Sequence, residues 1–156
     1  MEFRLRGERY GVDLADVDEV LNIAALKPLP GAPDFVAGVL NLRGDLLPVV
    51  DLARRLGFER DTPPAAADGS PLAPYRNGTR LLVVSAGARR FAVIVDEIDG
   101  IHTIVPEQFR TRVMDGNDVP RFFGDVGVGD GGMVQLIRLR EILGPEEFGL
   151  LRAANG

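Results

Sequence analysis

The chain has 156 residues, with no cysteine, no tryptophan, one histidine and two tyrosines. Without cysteine there can be no disulfide and no thiolate metal site. A single histidine, His102, cannot assemble a familiar zinc or iron centre. It also has no serine nucleophile to serve, because Ser70 lies in a loop-like stretch and Ser85 at a strand end. With so few aromatic residues, stacking on nucleic acid or on a sugar is a poor reading. No apolar run approaches the roughly 20 residues that span a bilayer, and no charged stretch precedes an apolar one at the start. The bacterial-type cytoplasm is the simplest location. The 18 basic side chains are dispersed and the net charge is −5, which argues against a nucleic-acid surface.

What remains is a chain 46% hydrophobic, enough for a core, with room for one domain or two very small ones. Strand signals dominate. Residues 3–6 and 10–14 read as a hairpin turning at Gly7-Glu8. Residues 39–42 and 46–52 form a second around Arg43-Gly44-Asp45, and residues 80–86 and 90–95 a third around Gly87. Residues 133–139 read as a further strand. Short helical pieces are expected at 53–56, stopped by Gly57, at 140–143, stopped by Gly144-Pro145, and at 146–152. Between 59 and 79 the sequence is rich in Pro, Ala, Gly and Asp and reads as an exposed linker.

The two sides of that linker resemble each other. RYGVDLADVDEV (9–20) aligns with RFAVIVDEIDGI (90–101), placing Tyr10 on Phe91, Val12 on Val93, Leu14 on Val95, Val17 on Ile98 and Val20 on Ile101. LLPVVDLARRLG (46–57) aligns with MVQLIRLREILG (133–144), placing Leu52 on Leu139, Leu56 on Leu143 and Gly57 on Gly144. This self-similarity predicts two small β-barrels packed as a pseudo-symmetric pair. The first spans about 1–58, the linker 59–79 and the second barrel 80–144. A helical tail follows at 145–156, and elements are free to exchange between barrels.

Apolar positions shared by the halves read as core. Glu19, by contrast, falls on Gly100, and Arg43 falls near Gly129. A carboxylate and a guanidinium confined to one half are not demanded by the common architecture. They are either an ordinary ion pair or a rigid edge shown to a partner. The strand alternation predicts Leu40 and Leu42 facing the core, with Val39, Asn41 and Arg43 on the opposite side.

Four ordered blocks then carry a family resemblance: GERYGVDLADVDEV, PGAPDFVAGVLNLRGDLLPVVDL, RRFAVIVDEIDGI and FFGDVGVGDGGMVQLIRLREIL. Together they resemble the CheW-like family of chemotaxis coupling proteins from Phe3 to about Leu143, most specifically over Gly38 to Leu52. The resemblance implies an all-β fold with a few short helices: two SH3-like five-stranded barrels around a shared apolar interface. It implies no catalytic residue, no cofactor and no metal. The implied role is an adaptor between transmembrane chemoreceptors and a histidine autokinase in a chemosensory array. It would be cytoplasmic, recruited to membrane-associated receptors, without inserting into the membrane. The implied contact with the kinase regulatory domain uses Glu19, Gly38 and Arg43, with Asn41 on the same side. Gly38 is expected to let a partner backbone approach. The implied groove for the receptor's helical tip is lined by Leu14, Val17, Val20 and Ile98, with Val17 and Ile98 facing each other. The family also serves pathways for pilus motility, surface sensing and development. A reading from another class is a small enzyme or ligand-binding double barrel that uses the groove; it requires polar groups converging on a pocket.

Three motifs are expected to be turns. GVGDGG (127–132) fits a dinucleotide fingerprint but is followed by a strand rather than a helix. Arg43-Gly44-Asp45 and Asn77-Gly78-Thr79 spell an adhesion tripeptide and a glycosylation site, yet both sit at hairpin or strand boundaries. The carboxylates Asp96-Glu97 and those of 115–118 read as solvated loops.

Overall fold

The structure, a computed structural model, describes residues 1–58, 78–101, 105–106, 120–129 and 132–155. The linker reading, His102 and the carboxylates of 115–118 fall outside these. The chain is mostly β, with eleven strands among the described residues. The first half gives β1 (Glu2–Leu5), β2 (Glu8–Val12), β3 (Val17–Asn22), β4 (Val36–Leu42) and β5 (Asp45–Asp51). The second gives β6 (Arg80–Ala86), β7 (Arg89–Val95), β8 (Glu97–Gly100), β9 (Val105–Pro106), β10 (Phe123–Gly129) and β11 (Gly132–Ile137). Helix α1 (Leu52–Arg55) starts on Asp51, whose carboxylate accepts from the Arg54 backbone N–H, as N-caps do. Helix α2 runs over Pro145–Asn155. The helix expected at 140–143 is instead a 3-10 turn at Leu139–Glu141.

The hairpin turns follow local chemistry. The first falls at Arg6-Gly7, one residue before its expected position, and the second at Arg43-Gly44. All four residues have positive φ, as the two-residue mirror-image turn requires. Glycine tolerates this freely; the two arginines are the only non-glycine residues described with positive φ.

The strands assemble into a five-stranded sheet, β3-β6-β7-β5-β4, and a six-stranded sheet, β8-β1-β2-β11-β10-β9. Strands β6 and β7 of the first sheet are buried on both faces. Leu82, Val84, Phe91 and Val93 feed a large core that also holds Phe3 and Tyr10 of the second sheet. The alternate residues Leu81, Val83, Ala92 and Ile94 feed a separate core with Leu40, Leu42, Leu47 and Val49, all of the first sheet. A strand buried on both faces reads as a continuous apolar run, which RLLVVSA and FAVIV are.

The halves exchange strands reciprocally. β5 of the first half pairs in parallel with β7 of the second, and β11 of the second pairs in parallel with β2 of the first. The registers match the sequence repeat: Val50 lies opposite Val93, and Ile137 opposite Val12. The irregularities match too. The break between Val17 and Glu19 on β3 has its counterpart between Glu2 and Phe3 on the β1–β8 pair, where Phe3 faces Ile98. β9, of only two residues, gives the second sheet its sixth strand.

Arg55 joins the two halves across the large core. Its Nε donates to the Ile142 carbonyl at 2.9 Å, and one terminal nitrogen donates to Glu147 at 2.8 Å. Its guanidinium lies over the rings of Phe35, 4.2 Å from the centroid, and Phe122, at 5.3 Å.

Candidate functional site

Glu19 and Arg43 come together. Glu19 is on β3 and Arg43 is in the turn that leaves β4, and these are the two outermost strands of the five-stranded sheet. Their side chains form a two-pronged ion pair, with Nη1 donating to Oε1 at 3.2 Å and Nη2 to Oε2 at 2.7 Å. The hydrogen bond from Arg43 holds the Glu19 carboxyl below its ordinary range, opposed by desolvation and aided by the charges of Arg43 and Arg90. The same bond raises the Arg43 guanidinium. The Arg43 side chain remains 65% exposed, so the pair is presented to solvent.

The turn itself is organised by Asn41, whose Oδ1 accepts from the Gly44 backbone N–H at 3.0 Å. Arg43 is therefore both a turn residue and a displayed charge. Two further residues that the sequence reading missed extend the display: Arg90 of β7 donates to Asp45 at 2.9 Å. Their signal was available, since Asp45 follows the Arg-Gly turn and Arg90 lies opposite Ser85 beside the β6–β7 turn.

Two features around this site go beyond the alternation of β4. Val39 lies outside the core that holds Leu40 and Leu42, as expected, but is itself buried, and its backbone bridges that of Lys27. Gly38 is buried as well. A Cβ there would lie 2.6 Å from the Lys27 carbonyl oxygen and 3.2 Å from the Leu26 Cβ. A backbone carbonyl of the chain itself thus already lies close to Gly38.

The residues expected in the groove are divided by the structure. Val17 and Ile98 are half-buried and pack against the large core from edge strands of different sheets. Val20 lies opposite Leu82, on the face of that same core, but is 42% exposed at its margin. Leu14 is not in a strand. It opens a 3-10 turn, Leu14–Asp16, because the Asp13 carboxylate accepts from the Ala15 N–H at 2.9 Å and caps it. Leu14 lines a cavity of about 490 Å³ together with Val12, Ile101 and Ile137. Ile101, which the repeat had set against Val20, lines this cavity, whereas Val17, Val20 and Ile98 do not.

That cavity also has polar walls, including Asp13, Asp16, Asp125 and Arg138. Burial pushes the Asp16 carboxyl above its ordinary range, Asp13 adds to the shift and Arg140 opposes it. A raised carboxyl pKa means that folding favours the neutral form. Its stabilising contribution is complete below the unfolded-state value and is lost as pH rises through the folded value. Asp16→Asn is therefore expected to raise Tm at pH 7, with the gain shrinking as pH falls toward the ordinary carboxyl range. Thermal denaturation over that pH interval checks it; a gain independent of pH would place the cause elsewhere.

Polar groups do converge on the cavity, which the enzymatic reading required; among the described residues they are carboxylates, a guanidinium and the Met1 amine, with no serine or histidine. Among the described residues no group of three or more His, Cys, Asp or Glu could hold a metal ion. No helix among them is long and apolar enough to cross a membrane.

Comparison with known proteins agrees with this architecture. The CheW-like domain family model matches residues 1–147. The chemotaxis protein CheW of Klebsiella aerogenes is 27% identical over 150 residues, covering 96% of this chain and 83% of that protein. Protein PilI of Pseudomonas aeruginosa is 35% identical over 111 residues, covering 71% of this chain and 56% of that protein. The crystal structure of the scaffolding protein TtCheW from Thermoanaerobacter tengcongensis superimposes with a TM-score of 0.71 at 24% identity, covering 94% of this chain and 92% of that one. With the family pattern running through both sheets and across the Glu19–Arg43 edge, the chain belongs to the CheW-like domain family.

Proposed function

We propose that this chain is a non-catalytic adaptor that couples transmembrane chemoreceptors to a histidine autokinase. The observation that carries the reading is the Glu19–Arg43 pair, exposed at the meeting edges of one sheet and without a counterpart at Gly100. A paired charge of this kind gives a partner a fixed, directional contact while contributing little to the fold. The kinase regulatory domain docks on this face, against Arg43, Glu19 and Asn41, with Gly38 acting indirectly by seating Leu26 and Lys27. A receptor's helical tip docks along the margin of the large core, over Val20, Val17, Ile98 and Leu14. The protein works in the cytoplasm, recruited to receptor arrays beneath the membrane. Its output is flagellar or belongs to a related chemosensory pathway.

Co-sedimentation of the full chain with receptor cytoplasmic fragments and kinase tests this directly. Val20→Asp is the informative variant, because Val20 is exposed, whereas Val17 and Ile98 also support the core. It is expected to weaken receptor binding about tenfold, by putting an unpaired charge in an apolar contact, with Tm and kinase binding retained. Undiminished receptor binding by the folded variant would remove the receptor site from this margin.

A further inference from the structure

Arg90 and Asp45 stand beside the Glu19–Arg43 pair, and the function proposed for that pair gives them no task. Asp45 opens β5 two residues after Arg43, and Arg90 lies on β7, the neighbour of β5 in the five-stranded sheet. The four side chains therefore come from β3, the β4–β5 turn, β5 and β7, and their charges alternate around a closed ring. Glu19 accepts from both terminal nitrogens of Arg43, at 3.2 and 2.7 Å. Asp45 accepts from Nη1 of Arg90 at 2.9 Å. The two other sides of the ring act at longer range: the Arg90 charge on Glu19, and the Asp45 charge on Arg43.

Two more charges adjoin the ring. Asp18 accepts from the Ser85 hydroxyl, and Ser85 lies opposite Arg90, so a third carboxylate is near that guanidinium. The bond that Arg90 forms is nonetheless the one to Asp45. Arg89 is on the opposite face of β7 and donates to the Leu143 carbonyl at 2.7 Å.

The ring contains a competition. A guanidinium meets a carboxylate best as a planar fork, two N–H groups to two oxygens. Arg43 has two carboxylates within reach of its charge. Glu19 lies across the sheet edge. Asp45 is two residues along the chain, its side chain 66% exposed, and is met without joining that edge. Shared between the two, Arg43 loses the fork. Arg90 removes the second claim, because Asp45 then has a cation of its own.

We propose that Arg90 is a positioning residue for the kinase contact: by engaging Asp45 it leaves the Arg43 guanidinium to Glu19, in the orientation that the partner meets. The proposal rests on the kinase-docking reading of this face and adds what sets its geometry.

The test combines titration calorimetry of the full chain against the isolated kinase regulatory domain with crystal structures of the free variants. Arg90→Gln is expected to weaken binding about tenfold, as Asp45 draws Arg43 away. Asp45→Asn is expected to cost about as much, since the released Arg90 then competes with Arg43 for Glu19. Arg90→Gln with Asp45→Asn removes both competitors and is expected to return affinity to within about threefold of the unchanged chain. Tm should stay within about 2 °C in all three, because exposed pairs contribute little to folding. In the crystal structure of Arg90→Gln, Arg43 is expected to meet Asp45; in the double variant it is expected to regain the fork on Glu19.

A fork retained in Arg90→Gln overturns the proposal. A double variant as weak as the two losses multiplied also overturns it, by making Arg90 and Asp45 direct contacts of the kinase. A fall of Tm in every variant, the double included, makes the pair structural and overturns it too. Arg43→Ala, run in parallel, separates the two levels. If Arg43→Ala loses binding while Arg90→Gln keeps it, the positioning role falls and the docking face stands. If the kinase domain binds no form of the chain, the docking face falls, and the crystal structures still decide what Arg90 positions.

Discussion

Arg43→Ala is expected to cut affinity for the isolated kinase regulatory domain about thirtyfold, the order found when one member of an interfacial charge pair is removed, while leaving Tm nearly unchanged. The stability half of this expectation follows from exposure. The pair sits in solvent, where such contacts contribute little to folding. The edge it spans is also held by backbone, through the two Lys27–Val39 hydrogen bonds of 2.8 Å each. Because Arg43 has a φ of 51°, a second variant separates the turn from the charge. Arg43→Asn suits the left-handed conformation and should fold well, yet lose binding as alanine does. Exchanging the charges, Glu19→Arg with Arg43→Glu, preserves an ion pair across the sheet edges. If the pair served only to join those edges, the exchange would restore binding; contact with the partner predicts that it does not. Titration calorimetry with all three variants decides the matter, and unchanged affinity in Arg43→Ala would return the residue to the turn alone.

Gly38→Ala is expected to behave in the opposite way. Its φ of 152° belongs to the region that L residues rarely adopt, and its added Cβ would meet a carbonyl oxygen at 2.6 Å. A strained backbone of this sort costs about 1–3 kcal/mol, and the collision with Lys27 adds to it. Tm should fall by about 5–10 °C on the scale of a domain this size. Kinase affinity should fall as well, but through displacement of Leu26 and Lys27 rather than loss of a contact. Replacing Lys27 leaves its backbone bonds to Val39 in place and should not reproduce the drop in Tm. Retained stability in Gly38→Ala would contradict the close approach seen here.

The secondary structure was legible where side chains carried the pattern. β6 and β7 declare themselves by apolar residues on both faces, and the Arg-Gly turns by the conformation glycine permits. β10 was missed because FGDVGVG has three glycines in seven residues and leaves too few side chains to show a period of two. GVGDGG was read as a turn, whereas its first three residues close β10, with Gly129 opposite Gly132 of β11. The repeat gave the pairing of the halves and left exchange between them open, but not which strands cross, since partners far apart in sequence leave no local mark.

The same division applies to the site. Glu19 and Arg43 were found by asking what one half has and the other lacks, and the structure joins them. Leu14 was placed in a strand because its apolar spacing fits one, but the Asp13 cap competes locally and prevails. The burial of Val39 and Gly38 was not legible for one shared reason. Residues 26–27 return to β4 and bridge it at Val39, and nothing in the pattern of β4 announces that contact.

The reciprocal pairing of strands also sets an order of events during synthesis. The five-stranded sheet is encoded between Val17 and Val95, so all of its strands are made before β11. Among the described strands the hairpin of β1 and β2 precedes the others, yet its lateral neighbours β8 and β11 come later, β11 after all the rest. Until Ile137 arrives opposite Val12, the N-terminal hairpin lacks one flank and the apolar face shared by the two sheets stays partly bare. A nascent chain of this design therefore has one sheet ready while the other waits. Its most vulnerable interval, when aggregation competes with closure, ends only once β11 has been made.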